Sequence, residues 1–285
     1  MTSYSMNIGS MENRGVEFRM LIDLVQRQDF YWNFDFNITH VNNEITYMPE
    51  ELEGMVDGTK RLDVGTSLYD YWLREVSHID PETGATHYYY DITDENGEPT
   101  GERGTTSNHL DADRYYVGTA IPDAFGGFTN NISYRNWDFS MLFTYSIGGE
   151  TYDNVYGGMF DGRFWAGDYG SALHADRVNR WRQPGDETGQ PRVQQGSASL
   201  YAGTSDNRLF DMTYLSLKNV TLGYNLPAEL AQRFGMTSMR VYATGDNLFI
   251  WNDNEGMDPQ HSFAGTTDYT FVPVRTMTFG VNLQF

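Results

Sequence analysis

The chain has 285 residues, 39 of them Asp or Glu and 19 Lys or Arg, for a net charge of −20; it carries 17 Phe, 20 Tyr and 6 Trp and no cysteine. That balance excludes a nucleic-acid binder, whose work is phosphate neutralisation, and the missing thiols exclude disulfides, thiolate metal sites and cysteine nucleophiles. So many apolar and aromatic residues exclude a disordered chain, and no apolar run approaches the ~18 residues of a membrane helix, which leaves membrane strands open.

In chain order, the predicted elements alternate apolar and polar residues with period two, as a strand with two unlike faces does. Val16, Phe18, Met20, Ile22 and Leu24 predict a strand over 15–26. Phe30, Trp32, Phe34, Phe36 and Ile38 predict one over 30–41. Phe128, Ile132 and Tyr134 make a weaker strand over 125–135, and Trp137, Phe139, Met141, Phe143, Tyr145 and Ile147 a strong one over 137–148. In the strand predicted over 212–226 the phase changes: Leu215 and Leu217 are odd, whereas Val220, Leu222, Tyr224 and Leu226 are even. A β-bulge at Lys218–Asn219 restores a single face. Met239, Val241 and Ala243 open a strand over 238–251, and Met277, Phe279, Val281, Leu283 and Phe285 form the last, over 275–285.

The connections carry as much information as the strands. They read short (27–29), long (42–124), short (135–136), long (149–211), shortish (227–237) and medium-long (252–274). An up-and-down barrel in an outer membrane alternates in this way, with tight periplasmic turns and large external loops. Pro227 and Gly235 bracket one or two helical turns. A second helical piece is predicted over Ala172–Arg182, with Leu173, Val178 and Trp181 on one side, and a further hairpin over Leu68–Ile79 and Thr86–Ile92, around Asp80–Gly84. The first residues, Met1–Asn7, have no basic or apolar stretch of a signal peptide. A soluble sandwich also alternates, with its apolar face inward. Large aromatics near strand ends (Phe30, Trp32, Trp137, Tyr134, Phe249, Trp251, Phe285) resemble interfacial girdles and favour lipid. Seven strands are odd in number and fewer than the smallest such barrels need. The expected fold is therefore all-β: the C-terminal part of a large transmembrane β-barrel, about seven or more antiparallel strands, residues 1–285 forming one partial barrel. The alternative is a secreted or surface soluble β-sandwich that binds carbohydrate, and a hydrolase comes third.

Several segments resemble the C-terminal region of the SusC/RagA-type TonB-linked outer-membrane receptors. Asn7-Ile8-Gly9-Ser10-Met11-Glu12-Asn13-Arg14-Gly15-Val16-Glu17 is similar to the family's N-x-G-x-M-x-N-[KR]-G-x-E segment. Asp113-Arg114 through Gly118 to Pro122, Gly126-Gly127-Phe128 with Trp137-Asp138-Phe139-Ser140, and Tyr214-Leu215-Ser216-Leu217-Lys218-Asn219-Val220-Thr221-Leu222-Gly223-Tyr224 follow in the family's order. Arg240 to Phe249, Gly256-Met257-Asp258-Pro259 and Arg275 to Phe285 complete the set. The resemblance implies a 22-stranded barrel holding a plug. It also implies active import of oligosaccharides or peptides, a SusD-like surface lipoprotein as lid, and a TonB complex acting through the N-terminal part. The plug, the TonB-contacting segment and the earlier strands are missing from this sequence. Asp94-Glu95-Asn96-Gly97-Glu98-Pro99 lacks the spacing of the family's acidic loop, so no metal follows from it. The implied location is the outer membrane of a Gram-negative cell, crossed by many strands against its lipid.

Individual clusters add little chemistry. Asp253, Glu255 and Asp258 could be drawn as a glycosidase pair, but such pairs are defined by separation in space. His40, His78, His87, His109, His174 and His261 match no zinc motif. Asp91, Asp94, Asn96, Asp111 and Asp113 could gather around Ca²⁺, without EF-hand spacing. Gly148-Gly149 and Gly157-Gly158 read as turn glycines rather than phosphate loops, and no G-x-S-x-G elbow occurs. No catalytic residue, metal or cofactor is expected. The most suggestive stretch is 152–169. There Tyr152, Tyr156, Phe160, Phe164, Trp165 and Tyr169 interleave with Asp153, Asp161, Arg163 and Asp168. Such a loop suits contact with a sugar, a peptide or a lid protein, or packing on itself.

Overall fold

The computed structural model describes residues 9–160, 174–193, 204–254, 257–260, 264–267 and 272–285. Its strands are β1 (Ser10–Gln26), β2 (Phe30–Tyr47), β3 (Met55–Asp57), β4 (Lys60–Leu62), β5 (Asp70–Leu73), β6 (Val76–Ile79), β7 (Thr86–Thr93), β8 (Pro99–Thr106) and β9 (Tyr115–Thr119). They continue with β10 (Ala124–Tyr134), β11 (Trp137–Ile147), β12 (Glu150–Asp153), β13 (Leu209–Asp211), β14 (Tyr214–Asn225), β15 (Ser238–Trp251), β16 (Thr266–Thr267) and β17 (Thr276–Gln284). Two short helices are α1 (Asn154–Phe160) and α2 (Ala228–Arg233). Among the described residues no helix is long and apolar enough to cross a membrane.

The seven strands expected from period two form one sheet in the order β1-β2-β10-β11-β14-β15-β17, each antiparallel to its neighbour. The bulge is where the phase change put it: Leu142 pairs Asn219 and Phe143 pairs Leu217, so Lys218 is the extra residue. Skipping it keeps Leu217, Val220 and Leu222 opposite Phe143, Met141 and Phe139, on one face. Three further irregularities occur, one of them opposite the start of β1, where Thr46 is skipped between Ile45 and Tyr47. Asn247, at φ +52, lies in an added stretch opposite Leu217–Asn219, and Leu24 is skipped between Asp23 and Val25.

The two faces of the sheet differ in chemistry. On the apolar face an apolar row crosses five strands, with the rings of Phe30, Tyr134, Trp137 and Tyr224 and then Val241 in register; the Trp137 and Tyr224 rings meet at 4.7 Å. Nearer the loop end, Ile38, Gly126, Tyr145, Leu215 and Trp251 form another such row. From Gly126 to Tyr134 the chain spans the ~9–11 residues of a tilted membrane strand. Phe279 is 83% exposed and Phe285 84%, so no second layer covers this face among the described residues, as a sandwich requires. The one amide in mid-face, Asn130, accepts at 3.1 Å from the Trp32 indole, as a polar group next to lipid must find a partner.

The opposite face is polar and internally bonded. Arg19 reaches Asp35, Ser140 donates to Asn131 at 2.8 Å, Asn219 to Asp246 at 2.7 Å, and the Thr221 and Thr244 hydroxyls meet at 3.1 Å. Asp138 and Arg240 form a two-point ion pair across β14. A Cβ on Gly223, between them in register, would meet Arg240 Nη2 and lie 2.5 Å from Asp138 Oδ2. The outermost strands, β1 and β17, are exposed along nearly their whole length; exposed edges of this length call for closure by further strands.

The buried core lies elsewhere, in the layer of loops at one end of the sheet. Its centre is Tyr71, Leu73, Ala120 and Tyr152. Three small sheets build this layer, in the orders β3-β4-β5-β9, β6-β7-β8 and β13-β12-β16. The hairpin expected over 68–79 and 86–92 is realised only in its second half. Val76–Ile79 pairs with β7, with Asp80 bonded across the turn to Ala85 and Gly84, whereas Asp70–Leu73 pairs with β9. The helix expected over Ala172–Arg182 is a single 3₁₀ turn, Ala175–Asn179, with Val178 exposed; Leu173 lies outside the described residues. Trp181 packs instead over Gly84 and donates to Pro81 O at 2.8 Å. At the other end α2 follows Pro227, as expected. There the two-residue turn carries Arg135 at φ +54, and Asn136 donates to Asn225 O at 2.8 Å.

Candidate functional site

The loop layer holds the residues singled out from the sequence. Tyr152 is 3% exposed: it is part of the core with Tyr71 and Leu73, positioned by β12 between β13 and β16. Tyr156, on α1, packs its ring 4.8 Å from both His174 and Phe210 and donates to Asp176 at 2.9 Å. Phe160 ends α1. Phe164, Trp165 and Tyr169 lie outside the described residues. The structure thus gives the first two rings of the stretch packing roles within the layer.

A set of charged groups not evident from the sequence surrounds Tyr71. Lys60, Tyr71 and Gly118 are in register across β4, β5 and β9. The Lys60 ammonium lies 3.2 Å from the centre of the Tyr71 ring and donates to Tyr69 O at 2.5 Å. Burial pulls its pKa down to about 7, against the opposing pull of Asp70 and Glu150. The Glu150 carboxylate occupies the space a side chain at Gly118 would fill, and Oε2 is buried with no hydrogen-bond partner among the described residues. Burial raises its pKa, helped by Asp211 and Asp206 and opposed by Lys60. The Tyr71 hydroxyl ties the arrangement together by donating to the backbone oxygens of Glu150 and Gly265. Residues 60, 71, 118, 150 and 265 show no common spacing, so only the fold brings them together.

Beside this cluster, at the loop end of the sheet, is a cavity of about 120 Å³. Phe125, Ser146 and Tyr214 line it from the sheet, and Thr151, Pro259 and Gln260 from the loops. Gln260 donates through Nε2 to Asp258 Oδ1 at 2.9 Å, which leaves Oε1 as the unpaired end of its amide.

Several acids of the loop layer are engaged in local hydrogen bonds, and Glu255 lies outside the described residues. Asp94 accepts from the Asn96 and Glu98 amides at 2.9 Å, Asp113 from Asp91 N at 2.7 Å, and Asp111 from Asn108 at 2.8 Å. Among the described residues no group of three or more His, Cys, Asp or Glu is placed to hold a metal ion. Gly148 and Gly149 adopt left-handed turn geometry, φ +69 and +75.

With this geometry established, comparison with known proteins is informative. No protein-family model matches the chain. It is 28% identical over 309 residues to TonB-dependent receptor P3 of Formosa agariphila, covering 100% of this chain and 30% of the relative. It is 26% identical over 286 residues to TonB-dependent receptor SusC of Bacteroides thetaiotaomicron, covering 98% of this chain and 27% of that relative. Among solved structures, that of the RagAB peptide transporter superposes with a TM-score of 0.81 at 24% identity, covering 98% of this chain and 30% of that one. The RagAB peptide importer in its closed-closed state gives 0.80 at 23%. The chain spans about 30% of the length of these proteins, whose names are those of receptors and transporters.

Proposed function

We propose that this chain, a barrel segment of a SusC/RagA-type TonB-linked outer-membrane receptor, forms the C-terminal wall and extracellular loops of an active importer. Its apolar face meets lipid, its polar face lines the space occupied by a plug, and its loop layer contributes to the receiving surface for oligosaccharides or peptides. A SusD-like lipoprotein covers that surface, and a TonB complex drives release through the N-terminal part of the full receptor. The observation that carries this reading is the two-faced sheet with all long connections at one end. A polar wall bonded to itself, as in Arg240–Asp138 and Arg19–Asp35, is stable beside a water-filled lumen, and the unburied rings opposite are stable only in lipid or under a partner. In this reading Tyr156 and the aromatic residues Phe160, Phe164, Trp165 and Tyr169 of the same stretch contact substrate or lid, and the buried Tyr152 anchors β12.

The test is accumulation of labelled oligosaccharides and peptides in cells making the full-length receptor, with and without a working TonB complex. Uptake that needs both agrees with the reading. Uptake unchanged by loss of either contradicts it.

A further inference from the structure

The net charge is not spread over the molecule. The three long connections, residues 42–124, 149–213 and 252–274, carry 31 Asp and Glu against 11 Lys and Arg, and the remainder of the chain carries eight of each. The whole −20 therefore belongs to the three long connections, and the strands with their short turns carry no net charge.

The cations of the loop layer are outnumbered almost three to one by its acids, and several are anchored on backbone carbonyls. Lys60 donates to Tyr69 O, Arg74 to His109 O, Arg177 to Pro191 O, Arg182 to Val178 O and Arg192 to Thr83 O. Arg61 and Arg103 pair with carboxylates, Asp63 and Glu75. Glu50, Glu51, Glu53, Glu95 and Glu102 are exposed. The cavity in the same layer presents matching chemistry. Thr151, which lines it, is 1% exposed and its hydroxyl has no hydrogen-bond partner among the described residues; Gln260 Oε1 is likewise unpaired. Asp258 is buried against Gln260. The Gln260 amide oxygen can only accept and the Thr151 hydroxyl is able to, so in this anionic setting both can take a hydrogen bond from an occupant that carries positive charge.

We propose that the loop layer selects cationic oligomers, admitting ligands that bear ammonium or guanidinium groups and turning away polyanions such as uronate or sulfated glycans. The inference rests on the import reading given above. A field of one sign across a mouth raises the local concentration of opposite charge and speeds its capture, and it weakens as salt shortens the screening length to about 8 Å or less.

Amines occur in lysine-rich peptides and in glucosamine oligomers, and N-acetylation removes the charge from either while keeping the backbone. The experiment measures binding of both, of their N-acetylated forms and of a glutamate-rich peptide, to the purified full-length receptor at low and high salt. The expected result is that at least one amine form binds on the order of ten-fold tighter than its acetylated form at low salt, that the gap closes at high salt, and that the acidic peptide binds weakest. Which amine form binds identifies the source. Changing Glu50, Glu51, Glu53, Glu95 and Glu102 together to Gln, all at exposed loop positions, should narrow the gap while uncharged ligands bind unchanged. If acetylated and amine forms bind equally, or the acidic peptide binds best, charge selection is overturned and the import reading stands. If no ligand binds at any salt, both are overturned.

Discussion

At Gly223 a hydrogen atom is all the ion pair above it leaves room for. Arg240 and Asp138 join β15 to β11 over the β14 backbone, and the missing side chain is what lets them meet. Gly223→Ala should therefore cost about 1–3 kcal/mol of barrel stability by overpacking, read as a lower urea midpoint for the receptor folded in lipid. An unchanged midpoint would show that the pair moves aside freely. Lys60 gives a prediction with a sign. Its pKa falls from an ordinary value of 10.5 to about 7 on burial, so between those values the unfolded layer binds more protons than the folded one. Stability of the layer must then rise with pH from about 7 towards 10.5, and flatten below 7. Protection factors of the β4 and β5 amides, taken against the intrinsic exchange rate at each pH, should rise across that window in the parent and lose the Lys60 contribution in Lys60→Met; a rise unaltered by the substitution contradicts the assignment.

At the scale of elements, the bulge at Lys218 is the plainest test of register. It is needed because Leu217 and Val220, three apart, must face the same way. Lys218→Ala keeps the extra residue and should assemble. Deleting Lys218 removes the bulge and leaves Leu217 and Val220 two apart, still on one face, so the receptor should reach its compact, heat-sensitive form on unheated gels, whereas deleting Thr221 sets Val220 and Leu222 on opposite faces and should block it. Loss of that form in the Lys218 deletion, or its survival in the Thr221 deletion, contradicts the register. The same bulge shows what can be read from sequence and what cannot. It is visible because polar Lys218-Asn219 interrupts clean alternation on both sides. The irregularity at Leu24 is invisible because Leu24 and Val25 are both apolar, and that at Asn247 because Leu248-Phe249-Ile250-Trp251 is apolar throughout. In the loop layer, strands of two to five residues such as β5 and β16 carry no usable period, and pairings such as Tyr152 with Thr266 join distant parts of the chain. An aromatic-rich stretch also does not disclose which rings point inward, so the burial of Tyr152 emerges only from the fold.

For the whole molecule, one separation accounts for most of what is seen. Seven strands share an apolar face and a polar face, the packed core stands in the loops, and the excess negative charge is at the same end as that core. A water-soluble protein of this composition would put Phe279, Phe139 and Phe34 under a second layer; here Phe279 is 83% exposed and the other two are only partly covered by their neighbours in the sheet. The most direct measurement of lipid contact uses single cysteines, which this chain otherwise lacks. Spin labels placed one at a time from Thr276 to Leu283 in the full-length receptor, reconstituted in lipid, report collision with oxygen, which concentrates in the bilayer, and with a water-soluble nickel complex. The prediction is a strict period of two, with 277, 279, 281 and 283 favouring oxygen and 276, 278, 280 and 282 favouring nickel. Equal access to the nickel complex on both faces, or odd positions shielded from both reagents, would contradict a lipid-facing sheet.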